Sequence, residues 1–191
     1  MSEGIRTRRW TRAEYDRLIA IGVFQPGDPV ELLGGELVVS EPQSSEHYVA
    51  IGLVETALRA TLGRGWVIRP QGPVALDDES EPEPDVALVP GEWRDYLREH
   101  PAQPVLVVEV ALSSLRLDRE HKGSLYARAG LRDYWILNLV DRVLEVYREP
   151  VADDTASFGW RYATLARFGP DTSVAPLAAP EASLRVSDLL P

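Results

Sequence analysis

Two carboxylates stand where strands would bury them. Asp85 opens the apolar run Val86 to Val89, and Glu109 interrupts Val105 to Val110, which otherwise reads as a central strand. Burying an ionised carboxylate costs several kcal/mol unless it is paired or bound to a metal. If the two strands are neighbours in one sheet, the acids meet and repel, and a cation between them relieves the repulsion. A few negatively charged oxygens suit Mg2+ or Mn2+ rather than zinc. Two plainer readings compete: Glu109 as a buried acid paired with an arginine, and Asp85 as an ordinary loop-to-strand acid.

The third chemically distinctive residue is a lysine. Nineteen of the twenty basic residues are arginine, and Lys122 is the only lysine in the chain. The two types are not interchangeable where a compact ammonium is needed. Lys122 lies 13 residues after Glu109, on a helix predicted to follow that strand. Arg116, Arg119 and Lys122 recur every third residue, so they form a slanting stripe that could face phosphate beside the carboxylates. The alternative is a solvated helix face.

Composition bounds the rest. The chain has 191 residues, 30 acidic against 20 basic, for a net charge of −10. That length predicts a single domain with a core large enough to need no staple. There is no cysteine, which excludes disulfides, Cys-based zinc sites, iron–sulfur clusters and thiol catalysis. Only His47, His100 and His121 are available as imidazole ligands, too few for a multi-histidine zinc site. No apolar run reaches the ~18 residues of a membrane span, and no apolar segment follows the basic N-terminus. A cytoplasmic protein without membrane contact is expected. The acidic total argues against a coating nucleic-acid binder but leaves room for a local basic groove.

Several elements must position these groups. Thr11 to Glu14 reads as a capping box opening a short helix to about Gly22. Residues 29–33 and 36–40 flank Gly34-Gly35 as a hairpin. Ser44 or Ser45 can cap a helix over about 46–62, with apolar residues at helical spacing and Gly63 to end it. Short strands are expected at 65–69 and 73–76, then an acidic, proline-rich loop from Asp77 to Pro84. After the Asp85 strand come a helix over 91–99, the Glu109 strand, and a helix over about 115–129 closed by Gly130. Strands follow at 134–139, 143–148 and 160–167. The class is α/β or α+β, with a mixed central sheet flanked by helices and an N-terminal helix and hairpin. The parts are a basic arm (1–10), a core (11–148) and a strand-containing extension (149–191).

The combined pattern resembles a known family. Pro84-Asp85-Val86, Val107 to Ala111, Ser113 to Arg116, Asp118-Arg119, Lys122, Leu125 to Ala127, Gly130 and Asp133 to Ile136 are similar to the Uma-two family of bacterial endonucleases. That family resembles a branch of the PD-(D/E)XK restriction-endonuclease-like superfamily. Val30 to Leu33, Gly35 to Leu37, Ser40, Pro42 and His47 fit its N-terminal half. The resemblance covers roughly residues 10–148, with a weaker echo in LRVSDLL. It implies a nuclease core using one or two divalent ions, Mg2+ or Mn2+. By position, Asp85 matches the PD aspartate and Glu109 the second acidic ligand, so these two are the expected metal ligands. In the usual E-x-K arrangement the lysine would stand at Ala111; the family pattern places it on the next helix, at Lys122. Glu31 matches an N-terminal acid that could assist metal binding, or a hairpin acid paired with arginine. His47 matches a family histidine, structural or in contact with substrate. Residues 111–115 depart from many relatives, and Leu112 leaves that position without a polar group.

The resemblance implies metal-dependent hydrolysis of phosphodiester bonds in DNA. Asp85, Glu109, Lys122 and Glu31 would be catalytic, with His47, Arg116 and Arg119 touching substrate. Arg6, Arg8, Arg9 and Arg12 would form an arm on backbone phosphates, unless they are a solubilising tail. Net −10 disfavours free-standing DNA binding, so either the cleft is locally positive or a partner protein supplies targeting. A homodimer would suit double-strand cutting. Two rivals remain: a silent domain that keeps the fold for binding or oligomerisation, and a metal-free glycosidase-like carboxylate pair. The chain has no nucleophile elbow, phosphate loop or Rossmann glycine fingerprint, and Ser113-Ser114 does not fit S-x-x-K with Lys122.

Overall fold

The computed structural model describes residues 7–25, 27–40 and 42–191. Arg6, part of the expected arm, lies outside them. Helix α1 (Arg12–Ala20) starts at the capping box: the Thr11 hydroxyl accepts from the Glu14 N–H while the Glu14 carboxylate accepts from the Thr11 N–H. Strands β1 (Val30–Leu33) and β2 (Glu36–Val39) form a separate antiparallel hairpin across Gly34-Gly35. Both turn glycines have positive φ, 57° and 82°. Helix α2 (Ser45–Thr61) is capped by the Ser44 hydroxyl.

Strands β3 (Trp66–Pro70), β4 (Val86–Pro90), β5 (Leu106–Ala111), β6 (Asp133–Asn138), β7 (Val143–Ala152) and β8 (Trp160–Phe168) make one six-stranded sheet in that order. Every pairing is antiparallel except β5 with β6. The parallel pair needs a crossover, and the chain between β5 and β6 supplies it as a helix over one face. Two short strands, β9 (Ser173–Val174) and β10 (Leu184–Arg185), pair in the C-terminal tail.

Strand alternation sorts the core into two layers. Leu106, Val108 and Val110 of β5 point to the face covered by α2 and the tail, among Ile51, Val54, Leu58, Leu184 and Leu189. Val107 and Ala111 point to the opposite face, among Tyr126, Tyr134 and Tyr162. Period two therefore puts Glu109 on this second face. It puts Asp85 there as well, in step with Ala87.

Three expectations need correction. Residues 73–76 are not a strand: Pro73 has no N–H, and the Val74 and Ala75 N–H groups donate to Pro82 and Pro101 carbonyls in loops. The helix expected over 91–99 is a single 3-10 turn, Trp93–Tyr96, because it buries no residue against the sheet. The helix over 115–129 is not uniformly α: Leu117–Lys122 is a π-helical segment, followed by α3 (Gly123–Arg128).

The acidic loop is partly buried. Ser80, Glu81, Pro82 and Pro84 are buried under the hairpin. The Gly35 N–H donates to the Glu79 carbonyl, and the Glu81 N–H donates to the Leu32 carbonyl. Arg9 pairs with Glu79 at 2.8 Å, and Arg12 lies 4.0 Å from Glu81. Arg8 pairs with Glu14. These three arginines answer the chain's own carboxylates.

Candidate active site

The site is assembled where β4 begins and β5 ends. The register Val86 opposite Val108 carries Asp85 alongside Glu109. The Asp85 N–H donates to Glu109 Oε2 at 3.3 Å, and the Val110 N–H donates to Asp85 Oδ2 at 2.7 Å. The Glu109 carboxylate is thus fixed by the Asp85 backbone, and the Asp85 carboxylate by the Val110 backbone next to Glu109.

Lys122 arrives over the same face from the crossover. Its Nζ lies 3.2 Å from Glu109 Oε1 and 3.2 Å from Glu31 Oε2. Ala111, where a lysine two residues after Glu109 would share its face, is fully buried and small. The ammonium therefore reaches Glu109 from the helix instead of from the strand. The Tyr126 hydroxyl also donates to Glu109 Oε1, at 2.8 Å.

The hairpin delivers Glu31. Its Oε1 accepts from the Ser40 hydroxyl at 2.8 Å and its Oε2 from the Glu83 N–H at 2.9 Å. Helix α2 delivers His47, whose Nε2 lies 3.1 Å from Asp85 Oδ1. Glu31, Asp85, Glu109, Asp118 and Lys122 are each at most 8% exposed.

The π-helical segment explains where the predicted basic stripe went. The Gly123 N–H donates to the Asp118 carbonyl, five residues back, which widens the turn. Spacing by three no longer shares a face. Arg116 points to solvent and pairs with Glu120 at 3.0 Å. Arg119 turns to β7, where Glu145, fully buried, accepts from its Nε at 3.0 Å. Neither lies beside the carboxylates. Asp118 and Lys122, four apart, both turn inward.

Asp118 is a site acid that sequence reasoning quoted without giving it a role. The Ser114 hydroxyl donates to its Oδ2 at 2.5 Å. Ser40, Ser114 and Tyr126 were missed as well. The available signal was position only: Asp118 precedes Lys122 by one turn, and Tyr126 follows it by one.

Charge is out of balance here. Four carboxylates surround one ammonium. Burial pushes Glu109 up, Lys122 opposes this, and Asp85 adds to the rise. Burial pushes Asp118 up to about 6, against the pull of Lys122 and Ser114. Burial alone would discharge Lys122, but Glu109, Glu31, Asp118 and Asp85 outweigh it and hold the ammonium charged. The site is short of positive charge.

Among the described residues, no three His, Asp or Glu side chains form a ready-made metal cage. The donor set still fits a hard divalent cation of the magnesium kind. Such an ion is commonly held by one or two carboxylates, with water and substrate phosphate completing the shell. Asp85 and Glu109 are the pair that adjoin.

A family model described as "Uma2: Putative restriction endonuclease" matches residues 12–187. A solved structure described as "a putative nuclease belonging to DUF820 from Anabaena variabilis ATCC 29413" superposes with a TM-score of 0.65 at 16% identity. The alignment covers 90% of this chain and 96% of that one, and at such identity the likeness speaks for the fold alone. No curated protein matches the chain.

Proposed function

The chain belongs to the Uma2 family, and from that premise we propose that it is a divalent-cation-dependent endonuclease hydrolysing phosphodiester bonds in DNA. The observation that carries this reading is the buried cluster in which Asp85 and Glu109 adjoin and the sole lysine touches Glu109.

Asp85 and Glu109 would hold the cation, Mg2+ or Mn2+. When bound, such an ion neutralises phosphate charge and acidifies a water. The chain's own residues do the rest. The Val110 N–H and His47 fix the two oxygens of Asp85. Tyr126 and the Asp85 N–H fix the two oxygens of Glu109. The surrounding acids favour the charged form of Lys122, so its work would be electrostatic: stabilising negative charge growing on the phosphate. His47, at the start of α2, is less buried than the acids and lysine of this set and is the candidate substrate contact.

DNA must reach these acids despite the net charge of −10. Arg119 is committed to Glu145, and Arg8, Arg9 and Arg12 face acids of the chain. Local positive charge is scarce, which favours weak, salt-sensitive DNA binding or targeting by a partner protein.

The test is plasmid nicking with Mn2+ by the wild type, Asp85→Ala and Lys122→Ala. Nicking by the wild type, lost at least 100-fold in both variants, is expected. Equal nicking by all three would remove the catalytic assignment. No nicking by any would put the silent-domain reading first.

A further inference from the structure

We propose that Glu31 is a positioning residue: it is the counter-ion that anchors Lys122, rather than a ligand of the cation. The inference rests on the nuclease reading and assigns this acid a different task from the metal binding that family resemblance allows.

The donors around Glu31 carry the argument. Both of its oxygens already accept hydrogen bonds from the protein: Oε1 from Ser40 at 2.8 Å, and Oε2 from the Glu83 N–H at 2.9 Å and from Lys122 at 3.2 Å. Glu31 thus has its three donors in the hairpin, the Glu83 backbone and the lysine itself. Glu109 also takes three donors, from Tyr126, Lys122 and the Asp85 N–H, but it adjoins Asp85 across the β4–β5 pairing. No third acid joins them in a metal-holding group among the described residues.

Geometry also gives the ammonium a reason to need a second acid. Lys122 reaches the site from a helix, across the sheet face, rather than from a strand position beside Glu109. A long flexible side chain held at one end loses precision, and a group misplaced by about 1 Å can cost 100-fold in rate. Glu31 approaches from the hairpin, an element independent of the sheet. The ammonium is therefore gripped from two separate elements. The hairpin is itself gripped: a Cβ at Gly34 would stand 2.1 Å from the Phe158 ring, and one at Gly35 would stand 2.9 Å from the Arg9 Cβ.

The chain's single lysine makes a direct test possible. An amine-acylating reagent can modify only Lys122 and the N-terminal amine, which serves as the internal reference. The proteins are the wild type, Glu31→Gln and Ser40→Ala, each checked for folding by circular dichroism. The second variant removes one hydroxyl from Glu31 and preserves the hairpin if the first unfolds it. In metal-free protein, Glu31→Gln should acylate Lys122 at least tenfold faster than the wild type, and Ser40→Ala should do so two- to fivefold faster. Calorimetry with Mn2+ should give an affinity within twofold of the wild type for both. Cleavage at saturating Mn2+ should fall at least tenfold in Glu31→Gln, with KM little changed. A tenfold loss of Mn2+ affinity without faster acylation would make Glu31 a ligand and overturn the proposal. Unchanged acylation in both variants would overturn it too. Asp85→Ala is run alongside: if it binds Mn2+ as the wild type does, the nuclease reading fails, while the acylation result still judges the link between Glu31 and Lys122 by itself.

Discussion

At the scale of single residues, the buried acids differ in how they are answered. Glu145 is fully buried yet sits among Arg119, Tyr147 and Asn138, and these hydrogen bonds hold it below the usual carboxylate range despite burial. Glu81 is also buried, but its nearest cation, Arg12, stands 4.0 Å away. Burial pushes Glu81 up to about 7, Asp16 adds to this, and Arg12 opposes it. Because its folded pKa lies above the ordinary 4.5, the native state prefers the protonated acid. Its contribution is intact below about pH 4.5 and is lost as pH rises through about 7. Glu81→Gln should therefore be more stable than the parent at pH 8 and nearly equal to it at pH 4.5. Urea midpoints at the two pH values decide this, and a variant weaker at pH 8 would refute it.

At the scale of elements, the π-helical segment is what turns a sequence motif into a site. The Asp118 carbonyl accepts both the Gly123 N–H and, at 3.0 Å, the Tyr134 hydroxyl. It is therefore pinned from the sheet side. A Cβ added at Gly123 would meet that carbonyl at 3.1 Å and the Tyr134 ring at 3.5 Å. Alanine in place of helical glycine normally stabilises by up to about 1 kcal/mol. Here the pinned carbonyl cannot retreat, so Gly123→Ala should instead destabilise by about 1 kcal/mol, the low end of overpacking costs. It should also lower nicking more than tenfold, because the turn aiming Lys122 is disturbed. Thermal melting and single-turnover cleavage measure the two effects. A stabilised, fully active variant would show that the wide turn is incidental.

At the scale of the whole molecule, a bound cation would register as stability. Any ligand of the native state stabilises it, by about 2.7 kcal/mol at a hundredfold excess over Kd. For a chain of this size that corresponds to a rise in Tm of about 5 °C or more. Mn2+ should produce such a rise in the wild type and little or none in Asp85→Ala. A Tm indifferent to Mn2+ would count against the cation. No helix among the described residues is long and apolar enough to cross a membrane. The larger apolar layer lies on the face covered by α2 and the tail, and the site acids share the other face with a smaller apolar layer around Tyr126 and Tyr134.

The linear sequence determined the strands of the central sheet, though not the loop at 73–76, and the suspicious acids at β4 and β5, because an acid beside or inside an apolar run violates burial energetics locally and needs no partner to be noticed. Asp85, Glu109 and the singular Lys122 were visible on that ground, and the capping box at Thr11 and the Gly34-Gly35 turn were visible from short-range rules. The fate of Arg116 and Arg119 was not. Their three-residue spacing implies a shared face only if the helix has α geometry, and the carbonyl of Asp118, held by Tyr134 from a distant strand, selects a wider turn. Only the tertiary structure decided that, just as it decided that Glu31, 91 positions before Lys122, would meet it. Periodicity reports what one element does along its own axis. Which elements cross, and so which charges end as neighbours, follows from packing among all of them at once.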